Sequence, residues 1–221
     1  FISQFAAFQS EAGHHIAAFT SSIPRDAGDV FDCTELEAMT PLEPLLIPDL
    51  EDGTSMLPEG FTVKVPADAK IVFQSHYLNV SDDDILVADV AQIHFHDDNL
   101  PMEQAGYFAI NHAGLDIPAG ETATFEQSCI LDRDLQLVRF FGHMHDWGKK
   151  VQIHHIAGGQ ETLVYEVDPW TVEYRDVPPI SVYPVETPLT FAMGDELRIS
   201  CTFDNTLDAP LRFPNEMCVA T

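Results

Sequence analysis

With 221 residues, 45% of them hydrophobic and 10% aromatic, the chain has enough apolar material for one large or two small packed cores, which excludes a disordered chain. Its 36 acidic residues against 10 Lys and Arg give a formal charge of −26, a surface that repels phosphate backbones and anionic headgroups and excludes nucleic acid as a general partner. No apolar run approaches the ~18–20 residues of a membrane-spanning helix, and the chain begins at Phe1 with neither an initiator Met nor a signal-peptide pattern, so it reads as a mature or trimmed soluble piece.

Short runs rich in Val, Ile, Phe and Thr, punctuated by 15 Pro and 12 Gly, predict an all-β chain. In chain order, helical signal is confined to a turn near residues 34–39. The Pro-rich acidic stretch 40–68 reads as a long loop across the first domain, apart from a strand at 61–65. Further strands are expected at 71–77, 85–95, 107–110, 136–145, 151–156, 163–167, 189–192 and 196–203. The polar break 97–104, with Pro101, divides the chain into two β-sandwich-like domains, 1–98 and 99–221. Pro118-Ala119-Gly120-Glu121 reads as a turn feeding a strand, and Ala157-Gly158-Gly159-Gln160 as a hairpin.

The ten histidines carry most of the chemical information. His143-Met144-His145 sets two imidazoles at i and i+2 of a strand, and period-two alternation sends both to one face. That is strand-compatible metal geometry, although a pair of partly exposed strand histidines has the same spacing. The adjacent His14-His15 could share an ion only where the backbone is irregular, and His76 alone says little. Met217, in Asn215-Glu216-Met217-Cys218, is by default gap-filling core. Beside two imidazoles its soft thioether would select copper, Cu(I) in particular. His94-Phe95-His96 is another same-face pair; it and His154-His155 read as exposed strand histidines, and His112 as a loop histidine. None of the four cysteines forms a CxxC pair.

In this order, separated by 62, 67 and 72 residues, His14-His15, His76-Tyr77, His143-Met144-His145 with Gly148, and Glu216-Met217-Cys218 resemble the copper type II ascorbate-dependent monooxygenases. The likeness extends to Gln74, to the run Tyr183-Pro184-Val185-Glu186-Thr187-Pro188, and to Gly194-Asp195-Glu196 leading into Cys201. It implies two tandem antiparallel jelly-roll-like sandwiches, each with one copper ion. His14, His15 and His76 match the three-histidine set that stores and delivers an electron. His143, His145 and Met217 match the catalytic set that binds dioxygen for hydrogen abstraction from an unactivated C–H bond, with ascorbate or another reductant as electron donor. Gln74, on the strand face of His76, would orient a ligand or a water. The substrate would be a small molecule or a peptide.

The resemblance also implies a disulfide between Cys201 and Cys218, and a secreted, extracellular or periplasmic location. Cys33 and Cys129 match cysteines whose partners fall outside this chain, so both should be unpaired or bonded to missing segments. The first motif begins so early that part of the first sandwich is expected to be missing. Two positions depart from the family. In peptide-amidating members an Arg two residues before the first His of the HxH pair and a Tyr four residues after the Met help anchor a peptide carboxylate. Here they are Phe141 and Thr221, which argues against a glycine-extended peptide; Arg139 remains a longer-range anion contact, and Phe140 or Phe141 would make the pocket apolar. The readings in competition are a copper hydroxylase, a copper-binding or sequestering protein without hydroxylase activity, and a β-sandwich whose histidines have no joint role.

Overall fold

The computed structural model describes residues 1–10, 13–33, 36–39, 41–46, 54–77, 79, 81–96, 102–112 and 114–221, without the side chains of residues 14, 15, 36, 37 and 46. They form two units, Phe1–Tyr107 and Phe108–Thr221. The boundary expected at 98–99 lies outside the described residues.

The first unit contains β1 (Ile2–Gln9), β2 (Gly13–Ser21), the helical turn α1 (Leu36–Met39), β3 (Leu42–Leu46), β4 (Thr54–Met56), β5 (Phe61–Val63), β6 (Ile71–Tyr77), β7 (Asp89–Phe95) and β8 (Glu103–Ala105). β1 pairs with β7 along its length and with β4 and β5 on its other edge, while β2 lies between β3 and β6. Ile2 and Phe5 of β1, Ile16 and Ala18 of β2, Leu45 and Val63 close one core. The opposite face of β2 buries Ala17 and Phe19 against Leu42. Every pairing among the described residues is antiparallel except that of β5 with β8.

The second unit contains β9 (Ile110–Asn111), β10 (Thr122–Ile130), β11 (Leu135–Leu137), β12 (Arg139–Phe140), β13 (Gly142–His143), β14 (Gly148–Ala157), β15 (Gln160–Val167), a 3-10 turn (Val172–Arg175), β16 (Ser181–Val182), β17 (Leu189–Phe191), β18 (Glu196–Asp204) and β19 (Val219–Ala220). Its main sheet has the order β10-β18-β14-β15. Alternation along β18 sends Leu197, Ile199, Cys201 and Phe203 inward, each with no exposed surface. Three narrow ribbons, β11–β17, β12–β16 and β13–β19–β9, contribute Phe191, Phe140, Ala220 and Ile110 to that same core. The result is an all-β, sandwich-like packing.

Several expectations meet the structure closely. β6 spans residues 71–77, and β14 and β15 join through Gly158 and Gly159, whose φ values of 56° and 80° are the left-handed pair a two-residue hairpin requires. The cysteine pair 201–218 is a disulfide, while Cys33 and Cys129 are free thiols. Two expectations are corrected. The stretch 40–68 is interrupted by more than the strand expected at 61–65, which is β5, because β3 and β4 also lie within it; Pro44 is tolerated since β3 is an edge strand and its register against β2 shifts at that point. The segment 136–145 is three short pairings rather than one strand, with β11, β12 and β13 each taking a different partner.

The disulfide ties the centre of β18 to the residue preceding β19, closing a loop of sequence separation 17. In the chain-entropy view a link of that span contributes on the order of 3 kcal/mol. Replacing both cysteines by Ser should lower the unfolding free energy by about that amount in urea denaturation; an unchanged midpoint and slope would show that the link constrains nothing.

Candidate metal centre

The β13–β19 ribbon carries the motif residues of the second unit. Gly142 faces Ala220 and His143 faces Val219. One step out, Phe141 and Thr221 exchange backbone hydrogen bonds of 2.9 and 3.0 Å, so the register extends past the strands. Exposure alternates along both segments. Gly142, Met144, Glu216, Cys218 and Ala220 are buried, whereas Phe141, His143, His145, Met217, Val219 and Thr221 are half-buried. The alternation of exposure continues past the ladder, which ends at His143 and Val219, so that His143, His145 and Met217 are all half-buried beside buried neighbours.

The rings of His143 and His145 have centroids 5.0 Å apart with planes at 80°. Imidazoles bound to one ion through bonds of about 2.0–2.1 Å have ring centres roughly 3.2 Å from it, and thus roughly 5 Å from each other. The pair therefore fits a shared metal ion. Nδ1 of His145 lies 3.2 Å from the Asn215 carbonyl, an acceptor, so Nδ1 carries the proton and Nε2 the lone pair a metal takes.

The neighbouring Glu216 has no exposed surface. Its Oε2 accepts from the backbone N–H groups of His145 at 2.9 Å and Met217 at 3.2 Å, and its Oε1 from that of Trp147 at 2.7 Å. One carboxyl group thus joins the backbone of two motif residues 72 positions apart. Trp170 adds an indole N–H donated to the His145 carbonyl at 3.0 Å. Gly148 lets this turn close, since a Cβ there would stand 2.8 Å from Met144 Cε and from Trp170 Cδ1. Burial pushes the Glu216 carboxyl up to about 7 even though the three N–H donors pull it down.

In the first unit the backbone sets His15 opposite His76, and the register of β2 against β6 shifts between Gly13 and His15. The chain is therefore irregular at His14. The side chains of His14 and His15 lie outside the described residues, and His76 is exposed. Gln74, opposite Ala17, directs its amide toward Cys33 Sγ at 3.7 Å and Met39 Sδ at 3.5 Å. Among the described residues no three His, Cys, Asp or Glu side chains come together as a metal site. The second set differs in kind, because its third donor would be the Met217 thioether.

Sequence reasoning overlooked Glu216 as a support, and also Trp170. Glu is ordinarily exposed, and the one available hint was its place between a candidate ligand and the segment before it. Of Phe140 and Phe141, the alternatives for an apolar pocket, Phe140 is fully buried and packed edge-on to Tyr165, and only Phe141 is half-buried on the outward side.

The model of the copper type II ascorbate-dependent monooxygenase C-terminal domain matches residues 103–220, over half of the chain, with His143, His145 and Met217 inside the match. The chain belongs to this family. Mouse peptidyl-glycine alpha-amidating monooxygenase is 26% identical over 196 residues, and the rat peptidylglycine alpha-amidating monooxygenase 25%. Each alignment covers 86% of this chain and 19% of the relative, so the chain spans about a fifth of the length of these curated relatives. Among solved structures, one of infectious bursal disease virus Gt strain aligns with 99% of this chain and 53% of its own at 12% identity, with a TM-score of 0.22, too low to bear on the fold. Phe141 and Thr221, the two positions at which the sequence was expected to depart from the peptide-amidating members, are direct cross-strand neighbours.

Glu216 should report itself through pH. Its folded carboxyl titrates near 7 against an ordinary 4.5, so the folded state takes up the proton first as pH falls. The associated stability is fully present below 4.5 and lost as pH rises through 7. In metal-free protein the stability of wild type over Glu216→Gln should grow by roughly 3 kcal/mol between pH 8 and pH 4.5. Denaturation at a series of pH values checks it, and a pH-independent difference would refute the assignment.

Proposed function

We propose that this chain is a copper-dependent monooxygenase. It hydroxylates an unactivated C–H bond with dioxygen and electrons from an external reductant, ascorbate or another donor, using two copper ions in separate roles. The observation that carries the reading is a pair of half-buried imidazoles with centroids 5.0 Å apart, His143 and His145, with the backbone of His145 tied through the buried Glu216 to that of Met217. Family membership supports it independently.

Copper held by His143, His145 and Met217 would supply one-electron redox chemistry and reaction with dioxygen. The chain's own groups do the rest. Glu216 holds the backbone at two of the three donors, Asn215 selects the tautomer of His145, and the thioether contributes the soft donor that favours Cu(I). For electron transfer we assign His14, His15 and His76, supported by the facing of His15 and His76 and by the backbone irregularity at His14. Gln74, two residues before His76 on the same face of β6, is the proposed orienting group of that set.

The substrate is a small molecule or a peptide. The relatives are named for peptidylglycine amidation, but the Phe141–Thr221 rung offers a ring and a hydroxyl where a cation and a phenol would grip a carboxylate. The part of the substrate recognised there is accordingly uncharged. The disulfide supports a secreted, extracellular or periplasmic setting. The same rung favours one alternative, a copper-binding or sequestering protein without hydroxylase activity; reductant-dependent oxygen consumption that rises with added substrate separates the two. Under labelled dioxygen, a product carrying one labelled oxygen is the expected result, and absence of label with any of a panel of small amines, amides and phenols counts against hydroxylation.

Two substitutions test the donor sets. Met217→Ile preserves bulk while removing the soft donor, so Cu(I) affinity should collapse while Cu(II) is partly retained by the two imidazoles. A Cu(I) competition titration decides it, and equal affinities would remove Met217 from the centre. His76→Ala should release one of two coppers and leave the second set loaded; release of both ions would contradict separate sites.

A further inference from the structure

His94 and His96 belong to neither donor set. They stand at i and i+2 of the β7 end, and their ring centroids lie 4.6 Å apart with planes at 37°, a closer approach than that of His143 and His145. His94 is exposed and His96 half-buried. No third His, Cys, Asp or Glu joins them as a metal-binding group among the described residues.

The surrounding backbone is built around this pair. The register of β1 against β7 shifts between Ile2 and Gln4, with Ile2 facing Phe95 and Gln4 facing His94, so Ser3 is the extra residue of a bulge. A bulge re-aims the side chain it carries. Here Ser3 Oγ lies 2.5 Å from His96 Nε2, and the His96 backbone N–H donates to the Phe1 carbonyl at 2.9 Å. With Nε2 held by the hydroxyl, Nδ1 is the nitrogen His96 can offer a metal. In front of His94 is an open concavity of about 230 Å³, lined by Gln4, Ala6, Gln92, Ile93 and His94. It is roomy enough for an ion with its waters, and its lining includes the amide side chains of Gln4 and Gln92.

We propose that His94 and His96 chelate a divalent late transition-metal ion, with Ser3 as a positioning residue. The donors are imidazole nitrogen with amide or water oxygen and no sulfur. Such a set suits Cu(II), Ni(II) and Zn(II), and of these Cu(II) binds most tightly. The site therefore differs from the Met217 centre in the oxidation state it prefers, and it does not depend on the hydroxylase reading.

The test uses the full chain carrying His76→Ala, His143→Ala and His145→Ala, which removes donors from both proposed copper sets. Equilibrium dialysis against Cu(II) should find one ion retained. Adding either His94→Ala or His96→Ala should abolish it, and adding Ser3→Ala should weaken it about 10–100-fold, as loss of a group that orients a ligand does. Retention unchanged by both histidine substitutions would overturn the proposal. In the unsubstituted chain, histidine ring NMR during Zn(II) titration should move the His94 and His96 signals, and signals that stay fixed at saturating Zn(II) would overturn it equally. A chain that keeps this ion but never loads His143, His145 and Met217 would sink the hydroxylase reading alone.

Discussion

The second unit's centre depends on one buried carboxyl group. Glu216 sits under the ribbon and collects the backbone N–H groups of His145, Trp147 and Met217, segments that are remote in sequence. Without an acceptor there, three donors would face a buried space, each costing roughly 1–3 kcal/mol. With it, the backbone that presents an imidazole and the backbone that presents a thioether are fixed against the same atoms. Covalent and packing constraints converge on this point. Cys218, two residues beyond Glu216, is bonded to Cys201 of the main sheet, and Met144 and Trp170 close over Gly148 so tightly that no side chain fits there.

How much of this could be read from residues alone varies with the range of the interaction. His143 and His145 were legible as a same-face pair because period two is a local property of extended chain. The Gly158-Gly159 hairpin was legible because positive φ at both positions is a local demand. The three-way division of residues 135–143 was not legible, since the partner that each short piece takes is set by residues remote in sequence. β1 and β2 escaped notice for a different reason. Ala6, Ala7, Ala17 and Ala18 have weak strand preference, and it is burial between sheets that makes them strand residues. The role of Glu216 was hidden because composition says that glutamate belongs outside.

Two sheets of the first unit use irregularity in a similar way. In β2 the register shifts at His14, and in β1 it shifts at Ser3; each shift lies beside a histidine, His15 in one strand and His96 across from the other. A regular antiparallel pair offers its side chains only at fixed spacing on alternate faces, which serves an HxH pair well and two adjacent histidines badly. A single extra residue changes the direction of the chain locally and leaves the ladder on either side intact. The acidic surface is compatible with such cation-seeking positions, because its field concentrates positive ions around the chain.

The alternation along β13 and β19 also separates two kinds of selection. The inward residues Gly142, Met144, Glu216, Cys218 and Ala220 answer to packing, and each is surrounded. Of the half-buried residues, Val219 faces His143 while Phe141 and Thr221 pair with each other one step out. A change at one of them alters the outward face without opening a cavity beneath it. Substitution in the outward positions is therefore cheap for the fold, and the chemistry of this face can change while the inner pattern stays intact.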